Sequence, residues 1–339
     1  MIYVAADLHL REHTWKSHKE IEGDQYFAWA KLCLAVSKDP DGALVLAGDI
    51  FDTPYPTGLT EMAFSKGMQM LRGKPCYFIP GNHDNEVVPR PQIFGAIPLE
   101  PGRVHKVCGL NITGIPFTRS TEALQTQIAN TPISDILVLH TGFRHLLGFD
   151  ETWQVSEDDI PEHVGMVMVG HVHLHSEHGK VYSPGSLALH RADEIDKGHG
   201  YFTIDGNKKV EWHEIRTRRY VQMTVGENVD NALLEELANC DDRHRPVVLL
   251  DHKNDDAPLA DAIQDRWKGR ILFMCNARAS ETIKALDESP EEVLDLKTVV
   301  SKWLASNLTE EQQALATAML QSQDPAATLD EYIKEREKT

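Results

Sequence analysis

The sequence predicts an α/β fold for its first two hundred residues, because short apolar runs alternate there with longer stretches of helical pattern. The runs are four or five residues long and mostly β-branched or aliphatic, as expected for buried strands. They are Ile2–Ala5, Ala43–Leu46, Cys76–Ile79, Ile136–Leu139 and Met166–Val169. Asp24–Lys38 and Thr60–Leu71 are predicted helices, and Gly200–Ile215 is predicted to be a β-hairpin.

Changes of pattern divide the chain into three predicted domains, 1–215, 216–279 and 280–339. After a small basic cluster, Arg216–Arg219, a second and shorter α/β pattern begins. Its predicted strands and helices alternate in the order Tyr220–Val225, Val229–Cys240, Val247–Asp251, Ala257–Lys268 and Ile271–Cys275. The last segment has helix-start signals without strand patterns, which predicts a helical C-terminal tail.

The tail helix predicted over Pro290–Asn307 carries an apolar stripe at three- and four-residue spacing. The stripe either folds back on its own domain or binds a partner protein. Trp303 and the separation of the tail from the strand region favour the partner.

The composition excludes several classes of protein. The 339 residues include 34 Lys+Arg and 52 Asp+Glu, and the net charge of -18 argues against a basic nucleic-acid coat or charge-driven membrane binding. No apolar run approaches the ~18 residues of a membrane span, and the start does not resemble a signal peptide, so we expect a cytoplasmic protein without membrane contact. Scattered cysteines without a CxxC pair indicate reduced thiols, not disulfides or a thiolate metal site.

Residues of metal-binding type follow each of the five predicted strands of the first domain. In an open α/β sheet the carboxyl ends of the strands converge on one crevice, so we expect these side chains to reach one place. In chain order they are Asp7, His9, Asp49, Asn82, His140, His171 and His173. Carboxylate, amide and imidazole ligands without thiolate suit divalent manganese, iron or zinc.

Two ions at the roughly 3.5–4 Å separation of hydrolytic two-metal sites require one bridging carboxylate. His83, next to Asn82, is then free to act as a general acid or to bind a phosphoryl oxygen. Each motif alone has an ordinary explanation, since Asp49 could cap a helix and Asn82 could hold a turn. Five such motifs in succession favour a metal centre.

The other histidines between His140 and His199 receive no assigned role. They are His145, His163, His175, His178, His190 and His199. Loop histidines are commonly solvated or hydrogen-bonded, and only His175, two residues past a candidate ligand, is also considered as a residue lining a DNA groove.

The motifs Asp-x-His, Gly-Asp-x-x-Asp, Gly-Asn-His-Asp, a later His and Gly-His-x-His resemble the signature of calcineurin-like metallophosphoesterases. The string Gly-Asp-Ile-Phe-Asp-Thr-x-x-Pro at 48–56, the Pro-Gly-Ser at 184–186 and the Lys-Gly at 197–198 resemble more particularly SbcD-type DNA repair nuclease subunits. Thr53 and Asp84 replace the Arg and Glu of phosphoprotein phosphatases, which argues against that branch. The resemblance is strong over 1–215, topological over 216–279 and weak over the tail.

This resemblance implies a metallophosphoesterase β-sandwich flanked by helices, a small α/β domain that caps DNA, and a tail that binds a partner ATPase. Asp7, His9, Asp49 and His173 match the ligands of one ion, and Asn82, His140 and His171 match those of the second, with Asp49 bridging. His83 matches the catalytic histidine. Asp52 matches a position that orients this histidine, although a turn or cap role explains Asp52 equally well.

The implied function is a metal-dependent DNA exonuclease and single-strand endonuclease, the nuclease subunit of an SbcCD-like DNA end-processing and repair complex. Metal-activated water would attack phosphorus in line, with two ions that are manganese by preference and magnesium, iron or zinc as alternatives. One rival function is a two-metal phosphodiesterase for small or cyclic nucleotides, and another is a non-catalytic scaffold of the same fold.

The implied partners are DNA, an SbcC-like coiled-coil ATPase bound through the C-terminal helices, and a second copy of the chain. The region of Thr60–Leu71 and Val87–Pro98 matches the homodimer contact of SbcD-type subunits, with ordinary core packing as the alternative. Five basic residues are candidate phosphate contacts, although a charge cluster is usually a solvated face. They are Arg11, Lys16, Arg216, Arg218 and Arg219.

Overall fold

The structure, a computed structural model, describes residues 1–15, 18–84, 90–144, 155–195, 197–226, 229–240 and 244–277. These residues fall in the first of two units of the chain, Met1–Arg278. The predicted tail, Lys16, His145 and residues 87–89 of the predicted dimer region lie outside the described residues. Within these ranges, no helix has the length and apolar character needed to cross a membrane.

Along the first 140 residues, four described helices separate single strands or groups of three strands, an α/β pattern as the sequence predicts. They are β1 (Ile2–Ala5), β2 (His13–Trp15), β3 (His18–Glu22), α1 (Asp24–Lys38), β4 (Ala43–Ala47), α2 (Gly58–Met70), β5 (Cys76–Ile79), α3 (Arg90–Ile93), β6 (Ile97–Pro98), β7 (His105–Val107), β8 (Leu110–Ile115), α4 (Thr121–Ala129) and β9 (Ser134–His140). The predicted β1, β5 and α1 are confirmed to the residue.

The rest of the described chain contains mostly strands until the second α/β pattern begins. The elements are β10 (Val164–Gly170), β11 (His175–His178), β12 (Val181–Pro184), β13 (Gly200–Ile204), β14 (Val210–Glu214), β15 (Tyr220–Thr224), α5 (Asn231–Ala238), β16 (Val247–His252), α6 (Ala257–Trp267) and β17 (Leu272–Ala277). The predicted hairpin is confirmed as the antiparallel pair β13–β14. Short or polar strands such as β6, β7 and β11 have no apolar run and were not predicted.

Two six-stranded sheets form a sandwich, in the orders β14-β13-β1-β4-β5-β6 and β11-β12-β10-β9-β8-β7. The expectation of one open sheet is therefore wrong, because β1, β4 and β5 belong to one sheet and β9 and β10 to the other. The sandwich that the family resemblance implies is confirmed. Within the first sheet β1, β4 and β5 are parallel, and within the second sheet β9 and β10 are parallel. The loops after the carboxyl ends of these five strands therefore still lie together.

Helices cover the outer faces of both sheets, which explains why the strands are apolar without alternation. Val4 and Val45 of the first sheet and Val138 of the second belong to one buried cluster, the central core. Their neighbours along the strands face outward, where Trp29 of α1 packs against the first sheet and Ile128 of α4 packs against the second.

The strand–helix–strand–helix–strand pattern predicted after Arg219 is confirmed as the parallel sheet β15-β16-β17 with α5 and α6 packed on one face. The other face contacts Ile21 of β3. Beside it, the buried guanidinium of Arg218 donates from Nε to Oδ1 of Asp24 over 3.0 Å, and Tyr220 donates its hydroxyl to the same carboxylate. Arg218 is thus an internal ion-pair residue, and its prediction as a phosphate contact is wrong.

Candidate metal centre

The loops that carry the candidate ligands have an unusual backbone. Asp7, His9, Asp49 and His171 all have positive φ angles, of 50°, 39°, 47° and 94°. This region is unfavourable for residues with a Cβ and persists where the surroundings hold it in place. Here the N–H groups of Asp7 and His9 donate to the carbonyls of Gly48 and Asp49, over 3.1 and 2.9 Å. The first two ligand loops therefore brace one another.

Glycines in the motifs allow the loops to approach closely. A Cβ on Gly48 would lie 2.1 Å from Nδ1 of His140, and one on Gly81 would lie 2.2 Å from Oδ1 of Asp49. Gly48 also has a φ of +90°, which glycine adopts without strain. The glycines of Gly-Asp and Gly-Asn-His are therefore required by packing around the ligands.

The carboxylate of Asp84 ties two of these loops together. It is buried and accepts hydrogen bonds from the N–H groups of Ile50, Phe51 and Gly81, at 3.2, 3.1 and 2.9 Å. Burial raises the pKa of Asp84 to about 6, while these N–H groups oppose the rise. Sequence reasoning used Asp84 only to reject a phosphatase branch and missed this structural role.

The first pocket is the space between Asp7, His9, Asp49 and His173. The Nε2 atoms of His9 and His173 face each other at 3.0 Å. His9 Nε2 lies 3.6 Å from Oδ2 of Asp49, and His173 Nε2 lies 4.0 Å from Oδ1 of Asp7. The structure thus brings together the four residues that the family resemblance assigns to one ion.

The second pocket is the space between Asn82, His140, His171 and the same Asp49. Oδ1 of Asn82 lies 3.0 Å from His140 Nε2 and 2.9 Å from His171 Nδ1. His140 Nε2 is also 3.4 Å from Oδ1 of Asp49, whose other oxygen faces the first pocket. Asp49 therefore lies between the two pockets, where a bridging carboxylate would be needed.

The electrostatics of the second pocket follow from burial and from the carboxylate it shares. Burial alone would lower the pKa of His140, but the adjacent Asp49 carboxylate raises it to about 9. Burial opposes ionisation of Asp49 as well, yet the imidazoles of His140 and His9 hold its pKa well below the usual range. For His171, burial and the neighbouring His140 lower the pKa to about 4.

The donor set fits divalent cations. His140 donates Nδ1–H to the carbonyl of Ala47 over 2.8 Å, so in the neutral ring the Nε2 lone pair faces the carbonyl oxygen of Asn82. Two imidazole nitrogens also face each other across the first pocket. Acceptor atoms directed at one another need a proton or a cation between them. Three clusters of the described residues could hold an ion, namely His9–His173–His190, His9–Asp49–His83 and Asp49–His140–His171, and the last two share the central carboxylate.

Comparison with known families decides the identity of this arrangement. Residues 1–196 match the family model described as calcineurin-like phosphoesterase. The chain belongs to this family.

Curated relatives of this phosphoesterase include DNA repair proteins. It is 28% identical over 231 residues to the DNA double-strand break repair protein Mre11 of Saccharolobus solfataricus, covering 60% of this chain and 60% of the relative. It is 25% identical over 215 residues to Mre11 of Sulfurisphaera tokodaii, covering 54% of each chain. It is 34% identical over 112 residues to the SbcD component of the nuclease SbcCD of Bacillus subtilis, covering 31% of this chain and 26% of the relative. The matches thus span less than two thirds of these relatives.

In this phosphoesterase, His83 lies at the edge of the first pocket. Its main-chain N–H donates to Oδ1 of Asp49 over 2.8 Å, and its Nδ1 lies 3.0 Å from the main-chain carbonyl of Asp52. A carbonyl only accepts, so His83 carries a proton on Nδ1 and keeps Nε2 available. The Asp52 carboxylate instead lies 3.5 Å from His9 Nδ1 and 3.2 Å from Arg11 Nη1. Asp52 therefore contacts the candidate catalytic histidine through its backbone.

Three side chains next to the pockets were not predicted. His190 stacks on the ring of His9, with centroids 4.1 Å apart and planes 13° from parallel. Phe117 lies against His171 with a centroid separation of 6.3 Å. Glu194 accepts from Nδ1 of His173 over 2.6 Å. These residues lie outside the strand-end motifs, so no spacing signal pointed to them.

The remaining candidate phosphate contacts differ in their surroundings. Arg11 is held by Asp52 and by the carbonyls of Thr14 and His190, at 3.2, 2.6 and 3.0 Å. Arg216 and Arg219 lie at the exposed surface of the phosphoesterase. His175 stacks on Trp212 with centroids 4.3 Å apart, joining the edge strands β11 and β14 of the two sheets. Among the described candidates, the exposed ones are Arg216 and Arg219, and the contact predicted for Lys16 stays a prediction.

Proposed function

We propose that this phosphoesterase is a metal-dependent DNA nuclease with exonuclease and single-strand endonuclease activity, acting in an SbcCD-like DNA end-processing complex. Two divalent cations, manganese by preference, would occupy the first and second pockets with Asp49 as the shared ligand. The observation that carries this proposal is the position of Asp49 between two sets of convergent acceptor atoms, with His83 beside them.

The chain's own residues account for binding, orientation and proton transfer. Bound divalent cations would supply activated water and offset the negative charge that develops on a phosphodiester. The contact from Nδ1 to the Asp52 carbonyl fixes the ring of His83, so that a protonated Nε2 would serve the leaving oxygen or bind a phosphoryl oxygen. The burial of Asp7, His9, Asp49 and His140 keeps solvent away from the ligand side of the pockets.

DNA is the proposed substrate because the relatives are named as double-strand break repair proteins and as part of a nuclease. We assign nuclease activity to 1–215, DNA capping to 216–279 and partner binding to 280–339. The proposed partner is an SbcC-like coiled-coil ATPase. Leu59 and Met62 on α2 are 43% and 46% exposed, which supports the proposed homodimer contact on this helix.

The decisive experiment replaces His83 and follows hydrolysis and metal binding separately. Purified wild-type protein and a His83→Gln variant would be tested with manganese on linear duplex DNA, single-stranded DNA and bis(p-nitrophenyl) phosphate. We expect at least a hundredfold loss of hydrolysis with unchanged manganese content, because general acids contribute about 10²–10⁴-fold to rate. An exposed histidine, His178, provides the matched control through His178→Gln.

The outcomes separate the proposal from its rivals. Hydrolysis of the small diester without cleavage of either DNA would support a phosphodiesterase for small or cyclic nucleotides. Absence of bound manganese and of hydrolysis in the wild type would support a non-catalytic scaffold. Full activity of His83→Gln would refute the assigned role of His83.

A further inference from the structure

A buried carboxylate behind the first pocket is not explained by any motif or by the proposed reaction. Glu194 is 2% exposed and lies at the end of a short 3-10 turn, Ala192–Glu194. Burial of a carboxylate is unfavourable unless its oxygens are hydrogen-bonded. Its partners therefore indicate its purpose.

We propose that Glu194 is the positioning residue of the first pocket, holding the ring of His173 and the backbone of His190 so that both rings pack against His9. The inference deepens the proposed function, on which its reference to a metal pocket rests. One carboxylate would thereby orient the histidines of the first pocket.

The first oxygen of Glu194 fixes the proton on His173. Oε1 lies 2.6 Å from Nδ1 of His173, and hydrogen bonds to an ionised carboxylate are short in this way. A carboxylate only accepts, so the proton resides on Nδ1 and the Nε2 lone pair faces His9 and Asp7. Carboxylate partners of ligating histidines set the tautomer and ring orientation in this way.

The second oxygen holds a second ring indirectly. Oε2 accepts the main-chain N–H of His190 over 2.9 Å, and the His190 ring stacks on His9 at 4.1 Å. His190 also forms, with His9 and His173, a cluster whose ligand atoms lie close enough together to hold an ion, and its ring stacks on that of His9. It acts as a wall that limits rotation of the His9 ring.

Residues of the Pro-Gly-Ser and Lys-Gly motifs form hydrogen bonds with Glu194. Ser186 donates its hydroxyl to Oε2 of Glu194 over 3.3 Å and accepts from Nδ1 of His199 at 3.0 Å. A Cβ on Gly185 would lie 2.7 Å from the main-chain nitrogen of His175, so only glycine at this position allows Ser186 to reach Glu194. The N–H of Lys197 closes the turn by donating to the Glu194 carbonyl over 2.9 Å. Both motifs thus support Glu194.

In the second pocket, His140 is held without Glu194. The outer nitrogen of His140 is held by the main-chain carbonyl of Ala47, which no side-chain substitution removes. Loss of Glu194 should therefore weaken one ion more than the other. Removal of such an outer partner typically reduces metal affinity 10–100-fold.

The experiment compares Glu194→Ala, Glu194→Gln and Glu194→Asp with the wild type in the full chain. Asp193→Asn is the matched control, because Asp193 is the adjacent acidic residue and its side chain is 64% exposed. Manganese titration by calorimetry, with electron paramagnetic resonance to count bound ions, measures each affinity without any nuclease assay. Nitrogen-15 spectra of the metal-free protein report the tautomer of His173.

We expect one manganese affinity to fall 10–100-fold in Glu194→Ala and about tenfold in Glu194→Gln, with partial rescue in Glu194→Asp. The His173 signal should shift from the Nδ1–H tautomer toward a mixture, while Asp193→Asn stays at wild-type values. Unchanged affinities and an unchanged tautomer in Glu194→Ala would overturn the proposal, as would equal loss of both ions.

Two other outcomes, a variant that does not fold and a wild type that binds no manganese, are covered by Glu194→Gln and by the tautomer of His173. If Glu194→Ala does not fold, Glu194→Gln, which preserves size and one acceptor oxygen, provides the same comparison. If the wild type binds no manganese, the proposed function fails, but the tautomer of His173 in wild type and Glu194→Gln still decides whether Glu194 positions that ring.

Discussion

The two pockets of the centre hold their histidines by different means. In the first pocket, the outer nitrogens of His173 and His9 face the carboxylates of Glu194 and Asp52, at 2.6 and 3.5 Å. In the second pocket, the outer nitrogen of His140 donates to the main-chain carbonyl of Ala47 at 2.8 Å. The rings of His173 and His9 thus face charged side chains, whereas the ring of His140 is held by the backbone of a central strand.

Because of this difference, the two pockets should tolerate different substitutions. A side-chain carboxylate can be neutralised by one substitution, which changes the charge behind a ligand and leaves the fold in place. A main-chain carbonyl is changed only by moving the strand that carries it. We therefore expect the first pocket to respond to charge substitutions and the second to respond to substitutions that displace the backbone.

The largest effect is expected from Gly48→Ala, which acts on the backbone-held pocket. The added Cβ would lie 2.1 Å from Nδ1 of His140, at a φ of +90°. Strain and overpacking each contribute about 1–3 kcal/mol in such cases, so the free energy of unfolding should fall by about 3 kcal/mol. Urea unfolding measures this change, and manganese titration should show loss of the second ion.

Gly58→Ala is the matched control for this substitution. Gly58 is the first residue of α2, and a Cβ there has no atom within 4 Å. We expect its stability to stay within about 0.5 kcal/mol of wild type. Wild-type stability and two bound ions in Gly48→Ala would show that the backbone around His140 adjusts without loss. That result would contradict the expected sensitivity of the second pocket to backbone displacement.

A smaller loss is expected from Asp84→Asn, which affects the loops that both pockets share. An amide nitrogen would replace one oxygen that now accepts N–H groups of Ile50 and Gly81. A buried donor facing another donor costs about 2 kcal/mol. Urea unfolding should show this loss in Asp84→Asn and none in the exposed control Asp158→Asn. Equal stability of the two variants would contradict the tying role of Asp84.

The candidate ligands of both pockets were predicted from the same strand-end motifs, and the second pocket shows why these motifs contain glycine. Its residues stand beside glycines at strand ends, and those glycines are required where a Cβ would collide with Asp49 or His140. The expectation of one open sheet was wrong because apolar runs do not encode strand order. Two buried sheets with helices outside give the same continuous runs as one sheet with helices on both faces.

Side-chain supports of the first pocket were missed for a different physical reason. Glu194 reaches His173 from 21 residues further along the chain, and as one of several acidic residues in a polar loop it carries no spacing signal. Arg218 shows the converse case. A basic cluster indicated a solvated or phosphate-binding face, but pairing with Asp24 makes burial of this guanidinium favourable. Such long-range pairs depend on the tertiary fold.

Asp52→Asn tests whether the second carboxylate of the first pocket acts on His9 or on His83. The substitution removes charge 3.5 Å from His9 Nδ1 but leaves the Asp52 carbonyl that contacts His83. We expect about a tenfold loss of manganese affinity and activity. The pH profile of bis(p-nitrophenyl) phosphate hydrolysis should keep its shape, because the contact to His83 persists. A displaced pH limb would show instead that the carboxylate controls His83.

The smallest effect is expected from His190→Leu, which removes the ring stacked on His9 and keeps a side chain of similar bulk. Stacked rings contribute about 0.5–1.5 kcal/mol beyond their buried area, so the affinity of the first ion should fall by roughly fivefold. Manganese titration of His190→Leu beside the exposed control His178→Leu measures this difference. Complete loss of one ion would identify His190 as a ligand, and the first pocket would then be held by ligation as well as by Glu194. A modest loss leaves His190 as the wall that Glu194 holds against His9.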